Sequence, residues 1–162
     1  MNVCLLGEVT IGAADGPEDI ARSRRLIRDY AGWLAVDLCF QGFEQELASL
    51  PGAYAPPAGR LLLARTGGDA IGCVGLRPLE PGICEMKRLW IEPGFAGAGI
   101  GRRLAETVIQ AARDIGYEKM RLDTLPERMP AAQNLYRSLG FREISPYYDN
   151  PLPGVTMLEL KL

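Results

Sequence analysis

Glu92-Pro93-Gly94-Phe95-Ala96-Gly97-Ala98-Gly99-Ile100-Gly101-Arg102-Arg103 is the stretch on which the fold turns. Gly97, Gly99 and Gly101 alternate, so backbone N–H groups can converge on one space with no side chain in the way. Residues 84–91 before the loop predict a strand. Residues after it predict a helix to about Ile115, with Leu104, Val108, Ala112 and Ile115 along one face and Gly116 as its stop. The first N–H groups of a helix lack intrahelical partners and sit at the positive end of its dipole. A strand, a glycine-rich turn and a helix start in this order therefore make a cradle for phosphate or pyrophosphate. Two such patterns fail here. A Walker loop needs Gly-Lys-Ser/Thr, and Gly101 is followed by Arg102 and Arg103. A dinucleotide fingerprint needs a glycine three positions after its second one, and Arg102 or Leu104 stands there. A glycine-rich turn with no ligand is the plain alternative.

Working outward, residues 3–13 predict a strand, Asp15-Gly16-Pro17 a turn, and residues 18–35 and 41–49 two helices. Residues 50–57 break the chain into a loop. A hairpin follows, with strands 60–65 and 70–77 around Thr66-Gly67-Gly68-Asp69. Pro81-Gly82 turns the chain into the strand before the glycine loop. Beyond the central helix come a strand at 119–125, a helix at 131–139 stopped by Gly140, and strands at 141–144 and 155–162. Hairpin strands followed by strand–helix alternation imply a mixed central β-sheet flanked by helices, of the α+β or α/β class. The length of 162 residues suits one domain, 1–162.

Composition narrows the function. The net charge of −2 lacks the basic surplus of a nucleic-acid binder, so no nucleic-acid partner is expected. No run approaches ~18 uninterrupted apolar residues, and the N-terminus lacks a basic region before its apolar stretch. No membrane association is expected, and the cytoplasm is the expected compartment. Cys4, Cys39, Cys73 and Cys84 have no metal-site spacing and read as buried free thiols. There is no histidine, which removes the commonest metal ligand and the commonest general base. No metal site is expected.

Leu89–Arg102 resembles the GNAT acetyltransferases, whose signature is Arg/Gln-x-x-Gly-x-Gly/Ala after a strand and a proline-containing turn. Ala96 stands where that family usually has Arg or Gln. Downstream, Ala132-Gln133-Asn134-Leu135-Tyr136-Arg137-Ser138-Leu139-Gly140-Phe141 is similar to the family's Ala-x-x-Leu-Tyr-x-x-x-Gly-Phe. Met129 occupies the position where many members have an Asn contacting CoA. The resemblance covers residues 59–145.

The resemblance implies an acyltransferase that moves an acetyl group from acetyl-CoA to a primary amine of a small molecule, amino acid or protein. Attack is direct, within a ternary complex, and a homodimer is an admissible assembly. Leu89, Trp90 and Ile91 would hold the pantetheine arm through their backbone, with one N–H polarising the thioester carbonyl. Gly97, Ala98, Gly99, Ile100, Gly101 and Arg102 would hold the pyrophosphate, with Arg102 and Arg103 either adding charge or facing solvent. Tyr136 would protonate the leaving thiolate, though 132, 136 and 139 also share a helix face that suits a core tyrosine. Glu85 is the candidate base, since strand alternation puts Glu85, Lys87, Leu89 and Ile91 on one face. Its alternative is a salt bridge to Lys87 or Arg88, which themselves read as surface or acceptor-groove charges. For the acceptor pocket, Tyr30, Phe40, Phe43, Glu44, Tyr147, Tyr148 and Asn150 are candidates, and Tyr147-Tyr148-Asp149-Asn150-Pro151 is the preferred lining segment. The alternative function is an acyl-CoA-binding sensor or regulatory module without turnover.

Overall fold

The computed structural model describes residues 7–162. Its elements are β1 (Val9–Ala13), α1 (Gly16–Leu34), α2 (Phe43–Ser49), β2 (Arg60–Thr66), β3 (Asp69–Glu80), β4 (Ile83–Ile91), α3 (Ile100–Ile115), β5 (Lys119–Thr124), α4 (Pro130–Ser138), β6 (Arg142–Ile144) and β7 (Thr156–Lys161). Each expected element is present, and the boundaries differ by a few residues. The strand expected from residue 3 falls partly outside the described residues. α1 starts at Gly16, where the Asp15 N–H donates to the Asp19 carboxylate at 2.9 Å and closes the first turn. The second helix is shorter than expected because Gly42, at φ +67°, ends a short 3₁₀ turn over Cys39–Gln41 before α2 begins.

One seven-stranded sheet runs in the order β1-β2-β3-β4-β5-β7-β6. All neighbours are antiparallel except β4 and β5. That parallel ladder has only the pairs Ile83↔Lys119, Cys84↔Met120 and Glu85↔Arg121. Beyond them β4 stays on β3 to Ile91, and β5 stays on β7 to Thr124. The sheet therefore opens as a wedge between two arms.

A bulge in β4 sits at the wedge. Between the pairs Gly75↔Lys87 and Cys73↔Trp90, β4 uses one residue more than β3. Arg88 takes up the extra residue with φ +61°. The left-handed region costs a non-glycine residue ~1–2 kcal/mol, and Arg88 is held there by paired hydrogen bonds to Glu46 of α2 at 2.9 and 3.0 Å. The bulge breaks the alternation expected from the sequence. Leu89 and Ile91 join Met86 against α3 and α4, whereas Trp90 packs on the α1 side. Glu85 and Lys87 do not share a face with Leu89 and Ile91.

The two sheet faces carry separate cores. α3 packs Leu104, Ala105, Val108, Ile109 and Ala112 against one face, with Tyr136 and Phe141 beside them. α1 and α2 pack Leu26, Ile27, Leu34, Phe43 and Leu47 against the other. Gly75 is required there by crowding, because a Cβ would lie 2.6 Å from the Tyr54 ring. Cys73 and Cys84 are buried free thiols as expected, but Cys39 is exposed, and Cys4 lies outside the described residues. No helix among the described residues is long and apolar enough to cross a membrane.

Candidate active site

The wedge exposes the free edge of β4. From Met86 onward that edge has no strand partner, so its backbone is open to an extended chain laid alongside it. A cleft of about 440 Å³ follows it, with Leu89, Trp90 and Ile91 on one wall and Met129, Ala132 and Leu135 on the other. The cleft ends on the glycine loop and the start of α3. No backbone N–H from Gly97 to Arg102 has a hydrogen-bond acceptor among the described residues, and the first to find one is Arg103, on Gly99 O at 3.2 Å. These are the orphan donors of a helix N-terminus, gathered at one end of an apolar trough.

Gly97 and Gly99 have φ of +81° and +79°, and a Cβ at either would meet nothing within 4 Å. Their need for glycine is conformational, and the space in front of them is open. Gly101 differs, since its Cβ would lie 3.8 Å from Ile91 and 3.9 Å from Leu135 in ordinary contact. Arg102 is tied to Glu106 and Ser138, and Arg103 donates to Val9 O at 2.9 Å, away from the loop. The open N–H groups, the free strand edge and the apolar walls suit a pyrophosphate joined to a long thin arm.

A second, smaller cavity of about 50 Å³ lies through the wedge on the α1 side. It shares Leu89 and Met129 with the cleft. Tyr136 reaches it from α4. Burial pushes the pKa of its hydroxyl above the ordinary phenol value, so it stays protonated. Lys87 and Asp123 face the same cavity, Nζ to Oδ1 at 3.5 Å. Burial pulls the Lys87 pKa down, outweighing the opposing charge of Asp123. For Asp123 burial acts upward, but the Lys87 charge and the Tyr148 hydrogen bond outweigh it and hold the carboxyl below its usual range. Asp123 Oδ2 also accepts from Tyr148, from Asn150 at 3.1 Å and from Gln41 at 3.3 Å.

The matches to known proteins agree with this geometry. The profile of the Acetyltransferase (GNAT) family covers residues 27–141. The chain belongs to the GNAT acetyltransferase family. An uncharacterized N-acetyltransferase from Schizosaccharomyces pombe is 40% identical over 156 residues, 95% of each chain. A GNAT acetyltransferase structure from Staphylococcus aureus superposes with a TM-score of 0.79 at 20% identity, covering 95% of this chain and 99% of the other. The PaiA N-acetyltransferase of Thermoplasma acidophilum, solved with coenzyme A, superposes at 0.73 with 16% identity, covering 96% and 99%. This GNAT chain is thus an acetyl-CoA-dependent acyltransferase by family, and its sheet carries the family fold.

The remaining sequence candidates divide. In this GNAT domain Glu85 is 1% exposed, with Arg77 at 2.8 Å and the Tyr147 hydroxyl donating to it at 2.6 Å. Its salt bridge is to Arg77 on β3, not to Lys87 or Arg88. Of the two readings for Lys87 and Arg88, the surface one fails, since both are buried, and both line the small cavity. Tyr30 lines the small cavity and stacks on Trp90 at 5.9 Å, and burial pushes its phenol up to about 12. Phe43 lies under the Arg88 guanidinium, and Glu44 is exposed and pairs with Arg28. The side chain of Phe40 is outside those described. Tyr147 and Tyr148 pin the preferred lining segment onto the sheet through Glu85 and Asp123, and Asn150 lines the cavity.

Sequence reasoning did not single out Asp123, Thr124, Gln41 or Trp33. Trp33, 49% exposed at the cleft mouth, stacks on Trp90 at 5.4 Å. One signal was available for Lys87 and Asp123. A sheet covered by helices on both faces has no solvent side in its middle, so a charge on a central strand must find a partner.

Proposed function

We propose that this GNAT domain transfers acetyl from acetyl-CoA to a primary amine by direct attack, with donor and acceptor held on opposite sides of the wedge. The observation that carries this is the junction of the two cavities at Leu89 and Met129, beside Tyr136. The apolar cleft and its ring of N–H donors fit acetyl-CoA, which supplies the activated acetyl group. The backbone of Leu89, Trp90 and Ile91 takes the extended arm, and an N–H at the bulge polarises the carbonyl. Gly97, Ala98, Gly99, Ile100, Gly101 and Arg102 present backbone donors to the pyrophosphate. In the transfer the amine N–C bond forms and the C–S bond breaks. On forming the amide the neutral amine gives up one proton, Tyr136 donates one to sulfur, and the proton lost from nitrogen restores the Tyr136 hydroxyl.

Glu85 had two readings from the sequence, a base or a structural salt bridge. Its carboxylate is closed off by Arg77 and Tyr147 and does not line either cavity, so we assign it a positioning role. It holds Tyr147 and with it the segment that covers the acceptor cavity. The carboxylate that faces the amine is Asp123.

The test is release of CoA thiol from acetyl-CoA, with and without a panel of amines, beside CoA binding by calorimetry. Release only with an amine, and no acetylated protein by mass spectrometry without one, is the expected result. Acetylated protein before acceptor addition would overturn direct attack. CoA binding with no release across the panel would favour the sensor reading, which the departures at Ala96 and Met129 motivate.

A further inference from the structure

Which amine enters is written in the polar groups of the small cavity; this inference rests on the reading that the cavity receives the acceptor. Lys87 is 5% exposed, and among the described residues its ammonium has one polar partner, Asp123 Oδ1 at 3.5 Å. A tight charge-assisted hydrogen bond is about 2.7–2.9 Å, so the pair is loose, and an ammonium has further protons to place. The neighbouring cation is not free in the same way, because Arg88 spends its guanidinium on Glu46. Asp123 is the opposite case. Its Oδ2 is crowded by Tyr148, Asn150 and Gln41, and only Oδ1 turns toward Lys87.

Two more buried atoms lining this cavity have no partner, Thr124 Oγ1 and Gln41 Oε1. Thr124 is only 6% exposed. Buried polar atoms are rarely left unmatched, and here they gather around one space with an underused ammonium. The space of about 50 Å³ holds on the order of four waters, or ~120 Å³ of liquid. That is room for a small amino acid. Tyr30, Arg88, Tyr136 and Asn150 also line the space, with the Arg88 guanidinium held by Glu46, and Leu34, Leu38, Leu152 and Val155 give it apolar walls.

We propose that the acceptor is a small amino acid with an uncharged side chain, bound as its zwitterion across the Lys87–Asp123 pair. Its carboxylate lies on the Lys87 ammonium, and its amino group lies between Asp123 Oδ1 and the wedge. Thr124 and Gln41 supply the remaining hydrogen bonds. The ammonium sheds one proton past Asp123 to water, and the neutral nitrogen forms the N–C bond and gives up a second proton. The C–S bond breaks as sulfur takes a proton from Tyr136, which the second nitrogen proton replaces. The products are the N-acetyl amino acid and the CoA thiol.

The experiment uses the full chain, acetyl-CoA and thiol release. Acceptors are glycine, alanine and serine, their amides, ethylamine and ethanolamine, an alanyl dipeptide and spermidine. The free amino acids should exceed their amides and the matching amines in kcat/KM by roughly 100-fold or more. Lys87→Met should lower kcat/KM for the amino acid by a similar factor, mainly through KM, and erase its advantage over the amine. Lys87→Arg should restore part of the preference. Thr124→Val, which keeps the volume, serves if Lys87→Met does not fold, and should raise KM for the amino acid several-fold. Amides, amines or the dipeptide reacting as well as free amino acids would overturn the proposal while leaving acetyl transfer intact. So would a Lys87→Met variant that slows all acceptors alike. If no acceptor releases CoA, the underlying acyl-transfer reading falls with it.

Discussion

The cleft and the cavity that meet at the wedge are built from different materials. The cleft is wide and apolar, and its specific groups are backbone: the free edge of β4 and the open N–H groups from Gly97 to Arg102. The cavity is small, and its specific groups are side chains: Lys87, Asp123, Thr124, Gln41, Asn150 and Tyr136. Backbone donors serve any ligand that carries the same pyrophosphate and arm. Side chains on separate elements can change one at a time. On the function proposed above, the donor side would serve any acyl-CoA, and the acceptor side would set which amine is used.

The comparison breaks most sharply at Gly99. Its φ of +79° is one that a β-branched residue rarely adopts, and a Cβ there projects into the open space before α3. Gly99→Val should abolish CoA binding in calorimetry. The position is exposed and uncrowded, so the thermal midpoint should fall by only a few degrees, about the cost of one strained residue. A folded variant with unchanged affinity would remove the loop from donor binding.

Next in size is the ion pair that holds the bulge. Arg88 and Glu46 are both largely shielded, and removing one partner leaves the other charge buried. Glu46→Ala should cost about 3–5 kcal/mol in denaturant unfolding. A loss below 1 kcal/mol would mean that Arg88 finds water and that the bulge needs no such support.

Tyr136 sharpens the comparison, because it stands between the two sides. Tyr136→Phe keeps the ring against Phe141 and should lower kcat about 10- to 100-fold, with CoA affinity nearly unchanged. A thiolate is an easy leaving group, which sets the effect at the low end. The sign of the pH dependence follows from burial. A phenol pushed upward keeps its proton, so Tyr136 should cause no fall in kcat below pH ~10, the ordinary tyrosine value. Full kcat in the Phe variant would make Tyr136 a packing residue.

A smaller effect is expected at Tyr147. Tyr147→Phe removes one hydrogen bond to Glu85, worth about 1.5–3 kcal/mol at a charged acceptor. It should loosen the segment over the acceptor cavity, raising KM for the amine several-fold while CoA affinity holds. A change in kcat alone, with KM fixed, would point back to Glu85 as the base. The smallest expected effect is that of chelator. No cluster of potential metal ligands exists among the described residues, and dialysis should leave turnover within error. Activity lost and then restored by a divalent ion would overturn the assigned chemistry.

How much was legible in the sequence follows the same division. The glycine loop, the helix after it and the Leu135-Tyr136 helix were read correctly because their signals are local: glycine for positive φ, apolar spacing for a helix face, proline at its start. The bulge was not legible. It moves Leu89 and Ile91 off the face of Glu85 and Lys87, yet nothing in Cys84–Ile91 marks Arg88 as the residue with φ +61°. Whether Lys87 was a surface or an acceptor-groove charge stayed open for a related reason, since a strand's own sequence does not say which neighbours cover it.

The sequence by itself determined the family, the sheet with its helices, and the glycine loop with its open N–H groups, because these depend on residues close along the chain. Tertiary structure alone decided where β4 and β5 part, and which charges then face one another. Lys87 meets Asp123 across 36 positions, and Glu85 meets Tyr147 across 62. Such pairings arise from strand register, sheet order and the bulge, and those are settled by packing on both faces of the sheet.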